Sequence, residues 1–219
     1  MKNIYVLVFL MSFSPAGISQ NLDIELLRDI HIERNERLDP PLTFITNSVS
    51  PLSIAVPLGA VTYALTQKDQ ESRDDAVIIT SSVVLSGAIS LGLKYAVDRD
   101  RPFETYGDIE NVSSSHTPSF PSGHTTHAFS LATSLSLAYP RWYVIVPSYA
   151  WAGAVGYSRM HLGYHYPSDV LAGVLIGSGS SYLCYKINQK IKERNENMRL
   201  TSSWDPIGFG QLTLIIPLD

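Results

Sequence analysis

The sequence predicts an all-α helical bundle of about five apolar core helices plus a short N-terminal amphipathic helix, expected to be membrane-embedded. Two observations carry this. Five runs of sixteen residues or more lack charge altogether, and the charged residues collect at the joints between them. A soluble bundle would show a polar face along each helix. The period-2 alternation of a half-buried strand is absent until Gln211–Pro217, a possible strand or docking segment.

The chain has 219 residues, a net charge of −4 and a pI of about 5.8. That length suits one domain with a sizeable core, and the charge balance excludes a polyanion-binding surface, so no nucleic acid is expected. A single cysteine, Cys184, leaves no intramolecular disulfide, and its apolar surroundings suggest an inert buried thiol.

Taken in order, Lys2, the apolar Ile4–Phe13 and the small-residue Pro15–Ser19 read as an export signal over residues 1–19. Cleavage is expected after Ser19, with Ala16 as the alternative; Ile4–Phe13 is too short to span a bilayer as an anchor. Residues 20–219 then form a single domain. Over residues 21–39, Leu22, Ile24, Leu27, Ile30 and Ile32 space out an amphipathic helix whose Arg28, Arg34 and Arg37 make a solvated face. Asp39-Pro40-Pro41 ends it. The uncharged run 40–67 is long enough to cross a bilayer, with kinks expected at Pro51 and Pro57. Further runs follow at 76–93, 125–140, 142–158 and 170–185, the last leading into a basic tail from Lys186 to Arg199.

Several runs lie near the lower length limit for a spanning helix, and the mean hydropathy of +0.06 is low for a polytopic membrane protein. Topology favours the bilayer. With residue 20 outside, five crossings put the 67–75 loop, Arg141 and the basic tail inside, and these hold eight of the sixteen Lys and Arg. The outer junctions are then the mature N-terminus, 94–122 and 158–169.

Those last two junctions carry the unusual residues. In Ser158–Asp169, Pro167 suits the first turn of a helix, which puts Asp169 about one turn beyond His165. A carboxylate there fixes the imidazole tautomer and leaves the other nitrogen free to attack. The planar fork of Arg159 suits phosphate oxygens. Lys94 and Arg101, seven residues apart, would share a helix face about 10 Å apart and converge on one anion. In Pro121-Ser-Gly-His124, Ser122 is a good N-cap and Gly123 admits a ligand to a helix N-terminus, with His124 beside it to donate a proton. Each stretch also has a plainer explanation: a solvated loop with a capping Asp, two cations snorkelling to a membrane surface, an ordinary Ser-capped helix.

Lys-x6-Arg-Pro, Pro-Ser-Gly-His and Ser-Arg-x5-His-x3-Asp, in this order, resemble the three motifs of the type 2 phosphatidic acid phosphatase superfamily. That superfamily also includes bacterial acid phosphatases and vanadium haloperoxidases. The resemblance frames residues 94–169 and implies a phosphatase in which Lys94, Arg101, Arg159, Ser122 and the Gly123 amide bind phosphate. It implies His165 as the nucleophile, forming a phosphohistidine, Asp169 as its orienting partner and His124 as the acid–base group. It implies no cofactor and no metal, since cationic side chains take the metal's part.

The pairs His124/His127 and His161/His165 have the spacing of zinc ligands on helices, but three cations nearby would repel a divalent ion. His127 and His161 are expected as pocket wall or core, His31 and His116 as loop or surface. A haloperoxidase would hold vanadate with the same residues, and a non-catalytic lipid-binding bundle has no need of an oriented nucleophile. An outward-facing site at the membrane boundary suits phosphatidic acid, phosphatidylglycerophosphate, undecaprenyl diphosphate or lipid A, in a bacterial inner-membrane protein whose site faces the periplasm. A soluble periplasmic acid phosphatase is the alternative. No obligate protein partner is indicated.

Overall fold

The computed structural model describes residues 16–110 and 117–201. Residues 1–15 of the export signal expected over 1–19, His116 and the Gln211–Pro217 alternation lie outside the described residues. The elements are α1 (Ala16–His31), a 3-10 turn (Glu36–Leu38), α2 (Asp39–Asn47), α3 (Val49–Gln67), α4 (Gln70–Val97), the single turn α5 (Pro102–Thr105), α6 (Gly123–Ala138), α7 (Trp142–His161) and α8 (Pro167–Thr201). No strand occurs among the described residues.

Several boundaries depart from the expected ones. The amphipathic segment stops at His31, and Asp39-Pro40-Pro41 opens α2 rather than only closing what precedes it. Proline in a first turn gives up an N–H that has no helical partner. The run 40–67 breaks at Ser48, three residues before Pro51. A proline ring conflicts with the carbonyl four residues back, here Asn47, which is the last residue of α2. The Ser48 hydroxyl donates to the Ile45 carbonyl at 2.6 Å and accepts from the Trp151 indole at 3.0 Å, fixing the break against α7. Asp69 caps α4, accepting from the Ser72 amide at 2.8 Å. The expected basic tail is the continuation of α8, which runs on to Thr201.

α6 lies at the centre, against α3, α4, α7 and α8. Its Thr125, Thr126, Ser130 and Ser134 are all fully buried. Small residues on α8 let the two backbones approach: a Cβ on Gly173 would stand 2.9 Å from the Ser122 carbonyl. Hydroxyls then satisfy one another across the contact, as with Ser181 donating to the Ser130 carbonyl at 3.0 Å. Val49, Ala128, Ala132, Ala152 and Val155 form the apolar core between α3, α6 and α7.

Among the described residues, three segments are long and apolar enough to cross a bilayer: Glu36–Gln67, Gln70–Thr105 and Pro167–Asn195. The sequence suggested five such crossings. α6, with 16 residues, is enclosed by its neighbours and needs no apolar surface for lipid. Leu58 and Leu65 on α3, Val84 and Leu91 on α4, and Leu171 and Leu175 on α8 are more than half exposed. An exposed apolar belt of this extent is the surface a bilayer covers. Trp142 and Tyr143 stand at its far end, where interfacial aromatics are found.

Candidate active site

The start of α3, the ends of α4 and α7 and the starts of α6 and α8 meet at one end of the bundle. They enclose a cavity of about 600 Å³ lined by Lys94, Arg101, Gly123, His124, Arg159 and His165, with His127 on its wall. Six of the eight residues singled out from the sequence therefore share one space. Ser122 and Asp169 stand behind it, both fully buried.

Lys94 stands in the last turn of α4, but Arg101 arrives by a route other than the expected helical face. α4 ends at Val97, with Asp98 in the left-handed region at φ 47°, so Arg101 lies beyond the helix, as N-cap of α5. The segment 117–119 receives both cations: Lys94 Nζ donates to the Pro118 carbonyl at 2.5 Å and Arg101 Nε to the Thr117 carbonyl at 2.8 Å. Arg159 donates to the Thr46 hydroxyl at 3.0 Å and lies 4.0 Å over the Tyr164 ring. None of the three has a carboxylate partner within 4.0 Å among the described residues, whereas Arg28, Arg34 and Arg99 all do. Arg101 and Arg159 are only 3% and 6% exposed. Buried charge without a counter-charge is costly, so this end of the cavity is built for an anion.

Pro167 opens α8, and Asp169 Oδ2 comes within 3.5 Å of His165 Nδ1. The Ser119 hydroxyl sits between them, donating to Asp169 Oδ2 at 2.5 Å and lying 3.3 Å from His165 Nδ1. Arg99 Nη1 donates to the other Asp169 oxygen at 2.8 Å. Burial pushes the His165 imidazole down to about 3, although Asp169 pulls the other way, so the ring is neutral at ordinary pH. With Nδ1 turned to Asp169 and Ser119, Nε2 is left for a ligand.

Ser122 occupies the N-cap position of α6 but makes no side-chain cap; its hydroxyl pairs with that of Thr125 at 2.9 Å. Its amide donates to the Asp169 carbonyl at 3.1 Å, tying α6 to α8.

Ser119, Arg99 and Thr46 escaped the sequence reading. Arg99 stands in the same charged cluster as Arg101, and Ser119 just before Pro121-Ser-Gly-His, which were the available signals. His31, expected as loop or surface, is 1% exposed. Its Nδ1 lies 2.9 Å from the His161 carbonyl, and its Nε2 accepts from the Glu110 amide at 3.1 Å. Arg28 on α1 and Arg34 in the turn after it, expected on a solvated face, pair with Asp108 at 2.7 Å and Glu110 at 2.6 Å and hold this segment to the 106–110 loop. His161 is core, 2.9 Å from Asp39.

The fold and site define a helical membrane-type bundle with a cation-lined pocket at one end. The family model of the PAP2 superfamily matches residues 75–193, and the chain belongs to that superfamily. It is 39% identical over 108 residues to a lipid A 1-phosphatase of Rhizobium johnstonii, covering 47% of this chain and 43% of the relative. An undecaprenyl-diphosphatase of Sulfolobus acidocaldarius is 32% identical over 119 residues, covering 54% of this chain and 57% of the relative. The chain thus spans about half the length of these relatives. Among solved structures, Aquifex aeolicus LpxE superposes with a TM-score of 0.67 at 25% identity, covering 75% of this chain and 95% of that one.

Proposed function

We propose that this chain is a metal-independent phosphatase that hydrolyses a lipid phosphate or diphosphate through a phosphohistidine on His165, at the periplasmic face of a bacterial inner membrane. The observation that carries the proposal is the trio Lys94, Arg101 and Arg159, buried or half-buried around one cavity with no carboxylate within 4.0 Å of them among the described residues. In this reading the three cations and the Gly123 amide, braced by Ser122, bind the phosphoryl oxygens and stabilise charge as it spreads during in-line transfer. His165 Nε2 attacks phosphorus as the ester or anhydride P–O bond breaks, and Asp169 holds the ring. Burial, with Arg159 adding to it, holds His124 well below the ordinary imidazole range, and the negative charge of a bound phosphate raises its affinity for the proton that it then gives to the leaving oxygen. His124 then takes a proton from water, whose oxygen attacks phosphorus, releasing phosphate and restoring His165.

The lipid part of the substrate fits the other half of the cavity. Its wall is formed by Val49, Ile54, Val83, Val84 and Ala88. Ile54 and Val84 are 65% and 66% exposed on the apolar belt, so this wall reaches the surface a bilayer covers. A metallohydrolase finds less support: His161 of the zinc-spaced pair is engaged with Asp39 and does not line the cavity.

The activities named for the relatives put lipid A and undecaprenyl diphosphate first in a panel that also includes phosphatidic acid and phosphatidylglycerophosphate. Purified protein is expected to release phosphate from at least one of them in EDTA, with competitive inhibition by vanadate and complete loss in His165→Ala. Failure to release phosphate from all four would sink the proposal.

A further inference from the structure

We infer that Asp23, on α1 and outside the family-matched region, is a positioning residue that holds Asp169 against His165; the inference rests on the phosphatase reading above. Asp23 is only 7% exposed. Its Oδ1 accepts from the Ser168 amide at 2.9 Å, and its Oδ2 accepts from the Ser168 hydroxyl and from Arg99 Nη2, the latter at 2.8 Å. Ser168 is the second residue of α8 and Asp169 the third. Asp23 therefore does from another helix what an N-cap side chain does locally: it satisfies a free amide and sets a negative charge against the positive end of the helix.

The second arm runs through Arg99. Its Nη1 donates to Asp169 Oδ1 and to the Ser168 hydroxyl, both at 2.8 Å, and the guanidinium lies 3.7 Å over the Tyr166 ring. One cation thus serves two carboxylates. Asp23 draws on Arg99 and leaves Asp169 the negative charge with which it steadies a ring that becomes positive on phosphorylation. Asp169 Oδ2 remains with Ser119, the Tyr166 amide at 3.1 Å and His165.

Asp23→Asn tests this, since it keeps the shape and an acceptor for the Ser168 amide but removes the charge. On the best substrate of the panel, kcat is expected to fall about tenfold, as when an outer partner of a site is lost. KM and vanadate inhibition should stay within about twofold, because the phosphate-binding cations are untouched. With Arg99 left to Asp169 alone, Asp169 favours a proton on His165 less, so the acid limb of kcat/KM should move to lower pH. The other charges facing His165, Arg159 on α7 and Arg101 before α5, are the same in the variant, as are Lys94 and His124 across the cavity. Asp23→Glu should recover part of the loss. Wild-type kcat in Asp23→Asn, or a loss shared by kcat, KM and vanadate affinity with an unmoved limb, would overturn the inference. Should that variant not fold, Arg99→Lys carries the test: it keeps the charge but cannot bridge both carboxylates, and unimpaired turnover in it has the same meaning. The wild-type chain run alongside separates the two failures, because no phosphate release by it overturns the phosphatase reading, not Asp23's part alone.

Discussion

His165 and His124 line the same cavity, and in the proposed reaction they have different tasks that the leaving group can tell apart. An alkoxide leaving a lipid monoester needs a proton in the transition state, a contribution of typically ~10²–10⁴-fold. Nitrophenolate needs far less help. His124→Ala should therefore lose much more activity on phosphatidic acid than on nitrophenyl phosphate, and still form a phosphohistidine detectable by acid-quench labelling; equal losses would assign His124 to binding. At this scale the sequence was most legible where partners are close in the chain. Asp169 lies one turn from His165, and Pro167 fixed that turn. Arg101 reaches the cavity by a geometry other than the expected one, because nothing local announces the left-handed Asp98 that ends α4. Asp23 and Thr46 were not legible, since their partners Arg99 and Arg159 lie 76 and 113 residues away.

Among the elements, the junction after α7 depends on one glycine. Gly163 has φ +73°, and a Cβ there would stand 2.9 Å from the Glu110 carbonyl and equally close to His31. Gly163→Ala is expected to cost about 1–2 kcal/mol from the left-handed backbone alone, and more from the displaced 106–110 loop. Thermal unfolding would measure it; an unchanged midpoint would mean that the loop yields freely. The apolar runs foretold α4, α6, α7 and α8 because lipid-facing and central helices both exclude charge. They foretold the break at Ser48 less well, since the conflict of Pro51 falls on a residue four earlier. Composition also hid which helix is central: Ser and Thr in α6 read as weak hydrophobicity, whereas they serve close packing against Gly173 and Gly177.

For the whole molecule, stability should depend on pH through the α1 junction. Burial, with Arg34 adding to it, lowers the affinity of His31 for a proton, and both ring nitrogens are engaged in the neutral form. As pH falls through about 6.5, the unfolded chain takes up a proton that the folded His31 refuses, so stability drops. His165 acts in the same direction. The unfolding midpoint should fall between about pH 7 and pH 5, with a shallower slope in His31→Gln; an identical slope would place the effect elsewhere.

The cavity wall that carries Ile54 and Val84 onto the apolar belt has a kinetic consequence. A substrate delivered along that wall diffuses in two dimensions, and what the enzyme meets is its mole fraction in the surface rather than its molarity in the vessel. In mixed micelles, diluting the lipid substrate with neutral detergent at constant bulk concentration should slow the reaction in proportion to the dilution. A short-chain soluble phosphate ester should be indifferent to it. Rates for the long-chain substrate that follow bulk concentration alone would mean that substrates enter from water.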